Sequence, residues 1–186
     1  MKNRGYLVAI CVSALAVAGC ETTSTRPYVV STQNVLGMQQ SLKAANLTVK
    51  VSDFTTAPGV DAEPTCRALG ALEVAPGRSP AQYVQAAFQD ELFAAGVIDV
   101  TKGVAISGEI TELNFNSFGT GVWKLAVKFS SPSLPDGFTV REEYSFKSSF
   151  SALSACQNVI DAFQPTVSAL IASAIKHPDF QKLAGA

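Results

Sequence analysis

Residues typical of active sites and metal sites are scarce in this sequence. Its 186 residues include one histidine, His177, and four cysteines, with no Cys-x-x-Cys pair among them. There is no Gly-x-Ser-x-Gly elbow, no phosphate-binding loop and no Gly-x-Gly-x-x-Gly turn. His177 lies beside a proline near the C-terminal end, where a structural or solvated role is the better interpretation. We therefore expect no enzymatic activity, no metal site and no cofactor.

Runs of like charge are also missing. The formal net charge is −1, and no block of five or more basic residues occurs. Nucleic-acid binders carry a basic patch or stripe, and anionic-lipid sites carry clusters of Lys and Arg. We expect neither partner on the basis of charge. Hydrophobic residues make up 47% of the chain and charged residues 16%, which predicts a folded domain rather than disorder.

Long apolar runs are limited to one, near the beginning of the chain. It covers residues 6–18, after a basic start at Lys2 and Arg4. A basic start, a short apolar run and small residues describe a secretory signal. A membrane-spanning helix needs roughly 20 apolar residues, so this run is too short for one.

The end of that run carries a recognisable motif. Val17-Ala18-Gly19-Cys20 has an aliphatic residue, two small residues and a cysteine. It resembles the lipobox of bacterial lipoproteins, and the resemblance implies cleavage before Cys20 and acylation of that cysteine. The alternative is an ordinary signal peptide that ends near a cysteine.

This interpretation divides the chain into three parts. Residues 1–19 are the signal peptide, residues 20–40 are the acylated cysteine with a flexible tether, and residues 41–186 are a single periplasmic domain. Glu21 stands where an Asp would retain an enterobacterial lipoprotein in the inner membrane. The resemblance therefore implies delivery to the outer membrane, with the domain facing the periplasm.

Two cysteines remain once the signal peptide and the anchor are set aside. Cys11 would leave with the signal, and Cys20 would carry lipid. An even pair in an exported chain, Cys66 and Cys156, predicts a disulfide. The alternative is two buried, unpaired thiols.

Hydrophobic periodicity predicts a domain of mixed helices and strands. Ser79, Pro80 and Gly96 mark the ends of the clearest helix, as its N-cap, first residue and left-handed C-terminal residue. Pro165 interrupts the last helical pattern, so we predict a kink or a restart there. A change of apolar parity between Ile110 and Leu113 predicts a β-bulge. The predicted elements are a strand at 47–51, a helix at 80–95, strands at 104–116, 123–129 and 138–146, and a helix at 154–176.

We therefore predict an α+β fold in the order β-α-β-β-β-α, with an antiparallel sheet of about four strands and two helices packed on one face. With a lipobox in front, this order is similar to that of small periplasmic accessory lipoproteins of Gram-negative bacteria. These include auxiliary lipoproteins of lipid-transport ABC systems, activators of peptidoglycan synthases and exopolysaccharide-export lipoproteins, whose domains resemble the N-terminal domain of the Tol-system propeller protein. The resemblance assigns a role to Cys20 alone.

The resemblance implies a non-catalytic accessory protein that docks on a larger cell-envelope transport or assembly machine and is a monomer by itself. Charged residues that alternate with apolar ones on the strands predict its partner surface. These residues are Lys124, Lys128, Arg141, Glu143 and Lys147. The alternative is a carrier that binds a lipid or another apolar ligand between sheet and helices, in a cavity lined by Phe88, Phe129, Phe146 and Leu170.

The lipobox leads to a direct test. Cys20→Ser should abolish incorporation of a fatty-acid analogue during metabolic labelling, because the acylated sulfur is removed. One acyl chain binds a membrane only marginally, at ~0.8 kcal/mol per buried methylene, whereas several chains anchor stably. Cys11→Ser is the matched control and should keep the label. Label retained on the Cys20→Ser variant would contradict the lipoprotein interpretation.

Overall fold

A four-stranded sheet with helices packed on it forms the described part of the chain. The computed structural model describes residues 26–75 and 77–186, so the predicted signal peptide and Cys20 lie outside the described residues. The strands are β1 (Val49–Thr56), β2 (Val104–Asn116), β3 (Thr120–Ser131) and β4 (Leu134–Lys147). The helices are α1 (Thr32–Met38), continued by a π-helical turn at Gln39–Lys43, α2 (Pro80–Ala95), α3 (Ala152–Lys176) and α4 (Phe180–Leu183).

The predicted α+β fold is confirmed, with one correction to the sheet. The strands lie in the order β1-β2-β3-β4. β2, β3 and β4 are antiparallel neighbours, as expected, but β1 is parallel to β2, so the sheet is mixed. The reason is the position of α2, which lies between β1 and β2 and returns the chain to the end where β1 began. A register shift between Ile110 and Glu112 confirms the predicted bulge.

The signals at the ends of α2 act as the sequence indicates. The Ser79 hydroxyl accepts a hydrogen bond from the Gln82 amide at 3.2 Å, and the Ser79 amide donates to Gln82 Oε1 at 2.9 Å. This reciprocal capping box satisfies donors that a helix N-terminus leaves unpaired. Gly96 ends the helix with a φ of 69°, a conformation that costs glycine little.

α3 is one helix of 25 residues that continues through Pro165 without a restart. Its apolar stripe packs on the sheet, and the indole of the wholly buried Trp123 donates to the Val159 carbonyl at 2.8 Å. The rings of Trp123 and Phe163 lie 5.1 Å apart. Packing and this buried hydrogen bond thus hold the helix on β3 on the N-terminal side of the proline.

The N-terminal segment, residues 26–43, belongs to the folded domain, which corrects the predicted tether boundary at residue 40. Met38 and Leu42 are completely buried. Glu91 of α2 is also buried, and its Oε1 accepts hydrogen bonds from the Tyr28 hydroxyl at 2.6 Å and the Ser31 amide at 2.9 Å. A buried carboxylate is costly unless donors surround it. The segment supplies donors to Oε1, whereas Oε2 is buried without a hydrogen-bond partner in the described part of the chain. The segment is therefore part of the core.

The predicted disulfide is confirmed. Cys66 and Cys156 are joined, with their Cα atoms 5.9 Å apart. The bond fastens the loop between β1 and α2 to the second turn of α3. β2 and β4 end here and α2 and α3 begin here, so we name this the disulfide end of the domain.

Loss of the disulfide should lower stability strongly. The cross-link joins residues 90 positions apart, and the chain-entropy estimate for a loop of that size is about 4–5 kcal/mol. The Cys66→Ala, Cys156→Ala variant should therefore unfold at a lower urea concentration than the oxidised protein. Wild type treated with reductant is the matched control and should show the same loss. An unchanged urea midpoint in both samples would contradict this expectation.

Stability should also fall at alkaline pH, because the N-terminal segment packs its partly buried Tyr28 beside the buried Tyr83 of α2. Burial raises the pKa of Tyr83 to about 12, and burial with the Glu91 hydrogen bond raises the pKa of Tyr28 above its ordinary value. Unfolded tyrosine ionises near pH 10, so between about pH 10 and 12 the unfolded state releases protons that the folded state retains. The free energy of unfolding, measured in urea, should decrease over this range.

The matched control for this pH dependence is Tyr83→Phe, which removes one ionising group and keeps the ring. Its stability should decline less steeply above pH 10 than that of wild type. Identical slopes for the two proteins would show that Tyr83 does not contribute.

Candidate docking surface

The sheet presents two chemically different faces. On β3, Trp123, Leu125, Val127 and Phe129 are fully buried beneath the helices. Because side chains alternate along a strand, Lys124 and Lys128 lie on the opposite face. We call that face, away from α2 and α3, the outer face.

All five residues of the predicted partner surface lie on the outer face. Lys124 is the register partner of Glu143, and Arg141 is the partner of Ala126. Lys147, at the end of β4, is the partner of Thr120. The side chains of β4 on this face are exposed, whereas those of β3 are half-buried between their neighbours.

Two ion pairs cross the strands of the outer face. Lys124 Nζ lies 3.1 Å from Glu143 Oε1, and Arg141 Nε donates to Glu112 Oε2 at 2.8 Å. The second pair spans three strands, since Ala126 on β3 is the register partner of both Arg141 and Glu112. Ala126 has no exposed surface although it lies on the outer face. Only a small residue leaves room for that contact above the central strand.

Glu112 and Glu109 of this surface were missed by sequence reasoning, and the bulge explains the position of Glu112. Strict alternation from Ile110 would direct Glu112 toward the helices and Leu113 outward. The bulge adds one residue to β2, which places Glu112 outside and Leu113, only 6% exposed, in the core. The change of apolar parity between Ile110 and Leu113 was the signal in the sequence that could have placed Glu112 on this face.

The outer face is polar and mixed in charge. The exposed large apolar side chains of the described chain all lie off the four strands. Lysines and an arginine alternate with Glu109, Glu112 and Glu143, and Lys128 is the register partner of Glu109. A surface of this kind favours specific, salt-sensitive association over burial of apolar area.

The interior is filled at the place where the carrier alternative requires a cavity. Phe88, Phe129 and Leu170 have no exposed surface, and the first two rings lie 5.4 Å apart. Phe146 lies over Gly121, where a Cβ atom would collide with its ring. These four residues therefore pack against protein atoms.

His177 follows the last residue of α3 and packs as a structural residue. Its ring stacks on Phe138 with centroids 3.9 Å apart, and its Nδ1 accepts from the Asp179 amide at 3.2 Å. Lys182, 2.6 Å from Asp179, holds the pKa of that carboxyl below its ordinary value. Within residues 26–75 and 77–186, no group of three or more His, Cys, Asp or Glu side chains could hold a metal ion.

The helices of the described chain are each too short or too polar to cross a membrane.

Comparison with known proteins adds little to this geometry. No family model matches the chain, and no curated protein matches it. Among solved structures, it is similar to a Xanthomonas campestris protein assigned to the DUF330 family, with a TM-score of 0.42 and 12% sequence identity. The similarity covers 69% of this chain and 84% of that one. We draw no inference about function from a likeness of this size.

Proposed function

We propose that this chain is a lipid-anchored, non-catalytic accessory protein that docks on a larger transport or assembly machine of the cell envelope through the outer face of its sheet. The anchor is Cys20, and the domain faces the periplasm from the outer membrane. The protein is a monomer by itself. The observation that carries the proposal is the outer face, a mixed-charge surface that the helices of the described chain leave uncovered.

The inner and outer faces of the sheet have different roles, and this difference supports the proposed function. α2 and α3 bury their apolar stripes on the inner face, so the large apolar side chains of the sheet are used in folding. Arg141 and Lys124, by contrast, keep 65% and 45% of their side-chain surface exposed although each has an acidic partner. A binding partner could exchange these intramolecular ion pairs for intermolecular ones without disturbing the core.

Salt sensitivity is the property that follows from such a surface. Exposed pairs contribute about 0–1 kcal/mol each to stability, so the outer face is not needed for folding. Complementary charge mainly accelerates encounter and sets the register of a complex. These properties suit a subunit that docks reversibly and is kept near its partner by a membrane anchor.

Two other observations agree with this proposal. A disulfide persists most readily in an oxidising compartment such as the periplasm. The interior is filled by Phe88, Phe129 and Leu170, which favours docking over transport of an apolar ligand inside the domain. The absence of catalytic activity remains a prediction from the sequence.

Charge reversal on β3 tests the proposed surface. Lys124→Glu with Lys128→Glu should reduce partner recovery after mild cross-linking in membranes, because both substitutions reverse the potential of the outer face. Lys124 and Lys128 face Glu143 and Glu109, so each reversal places like charges opposite one another and should cost about 0.2–1 kcal/mol. The domain should remain folded, which thermal unfolding of the variant checks.

The matched control is Lys102→Glu with Lys176→Glu, which makes the same change in net charge at exposed positions off the outer face. Partner recovery with this control should equal that of wild type. Equal recovery with the Lys124, Lys128 variant would move the interface elsewhere on the protein, most plausibly to the segment around Tyr28–Val30.

A further inference from the structure

The disulfide end carries exposed aromatic side chains that the core does not use. Phe150, in the connection between β4 and α3, is fully exposed, and Phe118, in the turn between β2 and β3, is 67% exposed. Leu69 and Leu153, also at this end, are 54% and 46% exposed. Together these four residues form what we call the apolar tip.

Arg67 holds the loops of the apolar tip in place. Its guanidinium donates to the carbonyl oxygens of Ser149 and Phe150 at 3.0 and 3.2 Å and to the Ser117 hydroxyl at 3.1 Å. It also lies 4.5 Å from the centre of the Phe118 ring. Arg67 has a φ of 47°, unusual for a residue other than glycine. The neighbouring Cys66–Cys156 bond fixes the same loop. The aromatic side chains are therefore displayed from a rigid support.

The N-terminal segment runs toward this same end when it is followed backward along the chain. The Ser31 amide donates to Glu91, whereas the Arg26 carbonyl accepts from the Tyr83 hydroxyl at 3.3 Å. Tyr83 lies two turns nearer than Glu91 to the beginning of α2. Arg26 also pairs with Asp161 at 3.0 Å. The described chain thus begins, at Arg26, on the side of the apolar tip.

The reach of the chain between Cys20 and Arg26 matches the distance to the tip. Asp161 is about 14 Å from the first residue of α3, at ~1.5 Å per residue. The six-residue link from Cys20 to Arg26 spans at most roughly 20 Å. A cysteine acylated in a bilayer would therefore allow the disulfide end to reach that bilayer.

We infer that the apolar tip, led by Phe118 and Phe150, inserts into the interface of the lipid bilayer that carries the anchor. This inference rests on the lipid anchor of the proposed function and adds a second, non-covalent membrane contact. Apolar side chains that bind at the surface of a bilayer lie at the boundary between headgroups and acyl chains. The contact would fix the orientation of the domain, with the strands close to the membrane normal and the outer face turned sideways toward a partner.

A tryptophan substituted at the apolar tip reports how deeply the tip enters the bilayer. We expect Phe118→Trp and Phe150→Trp in the full-length acylated protein, bound to vesicles of brominated phosphatidylcholine, to lose roughly half of their added emission, since an interfacial side chain lies about 5–10 Å deep. Vesicles without bromine give the reference emission. Trp123, the native tryptophan, is buried in every variant and supplies a constant background.

Phe93→Trp is the matched control. Phe93 is 75% exposed on α2, close to Glu91. Asn34 bonds both Glu91 and the Ser168 carbonyl, which places this level about 24 Å from the start of α3. The emission of the tryptophan in the Phe93→Trp variant should be unaffected by bromine. The difference should persist in high salt, unlike docking of the outer face, because the tip contact does not depend on charge.

Flotation of the vesicles, measured on the same samples, separates the two proposals. Protein that floats while the tip variants are quenched no more than Phe93→Trp would overturn the bilayer contact and leave the anchor intact. Protein that does not float would contradict the anchor and the tip contact together. A photoreactive group at position 150 that cross-links to an envelope protein and not to lipid would also overturn the bilayer contact.

Discussion

The arrangement of the helices depends on the hydrogen bonds that the buried carboxyl group of Glu91 accepts. One of its oxygens accepts from Tyr28, from the Ser31 amide and from Asn34, and Asn34 also bonds the Ser168 carbonyl of α3. A carboxyl group at this depth requires such donors, because burying a polar group without hydrogen-bond partners is costly. The N-terminal segment is thereby held between α2 and α3. The same contacts set the point at which the chain leaves the domain.

Covering one face of the sheet determines what the other face can do. The helices need the aromatic surface of β3, and once it is buried the side chains left outside are mainly polar, with Ala126 and Val122 among them. Arg141 and Glu112 meet across three strands because Ala126 is small and because the bulge turns Glu112 outward. The charge pattern of the outer face is therefore a product of strand register. Changing the register would alter the core and this surface at once, since the side-chain period of a strand is two.

The sequence predicts best those features that depend on local signals. The N-cap at Ser79, the alternation on β3 and β4 and the cysteine pair each identify an element or a bond that the structure contains. α1 was missed because its burial depends on residues far along the chain; Gly37, for example, lies against Ile175, where a Cβ atom would be 3.0 Å from that side chain. The apolar tip was missed for the same reason, since its loops are brought together only by tertiary folding.

The contacts of the N-terminal segment also constrain the order in which the protein folds. Arg26 bonds a residue 135 positions away, and Asn34 bonds one 134 positions away. A segment made first must therefore wait for α3, which is made near the end of synthesis, before it can dock, and contacts of such separation form slowly. In a chain anchored at Cys20 as proposed, the link between the membrane and the domain includes the N-terminal segment before docking. After docking, the link consists only of the residues before Arg26. Completion of folding would thus bring the domain close to the bilayer. Only folded molecules would then lie at the distance from the membrane at which the protein acts.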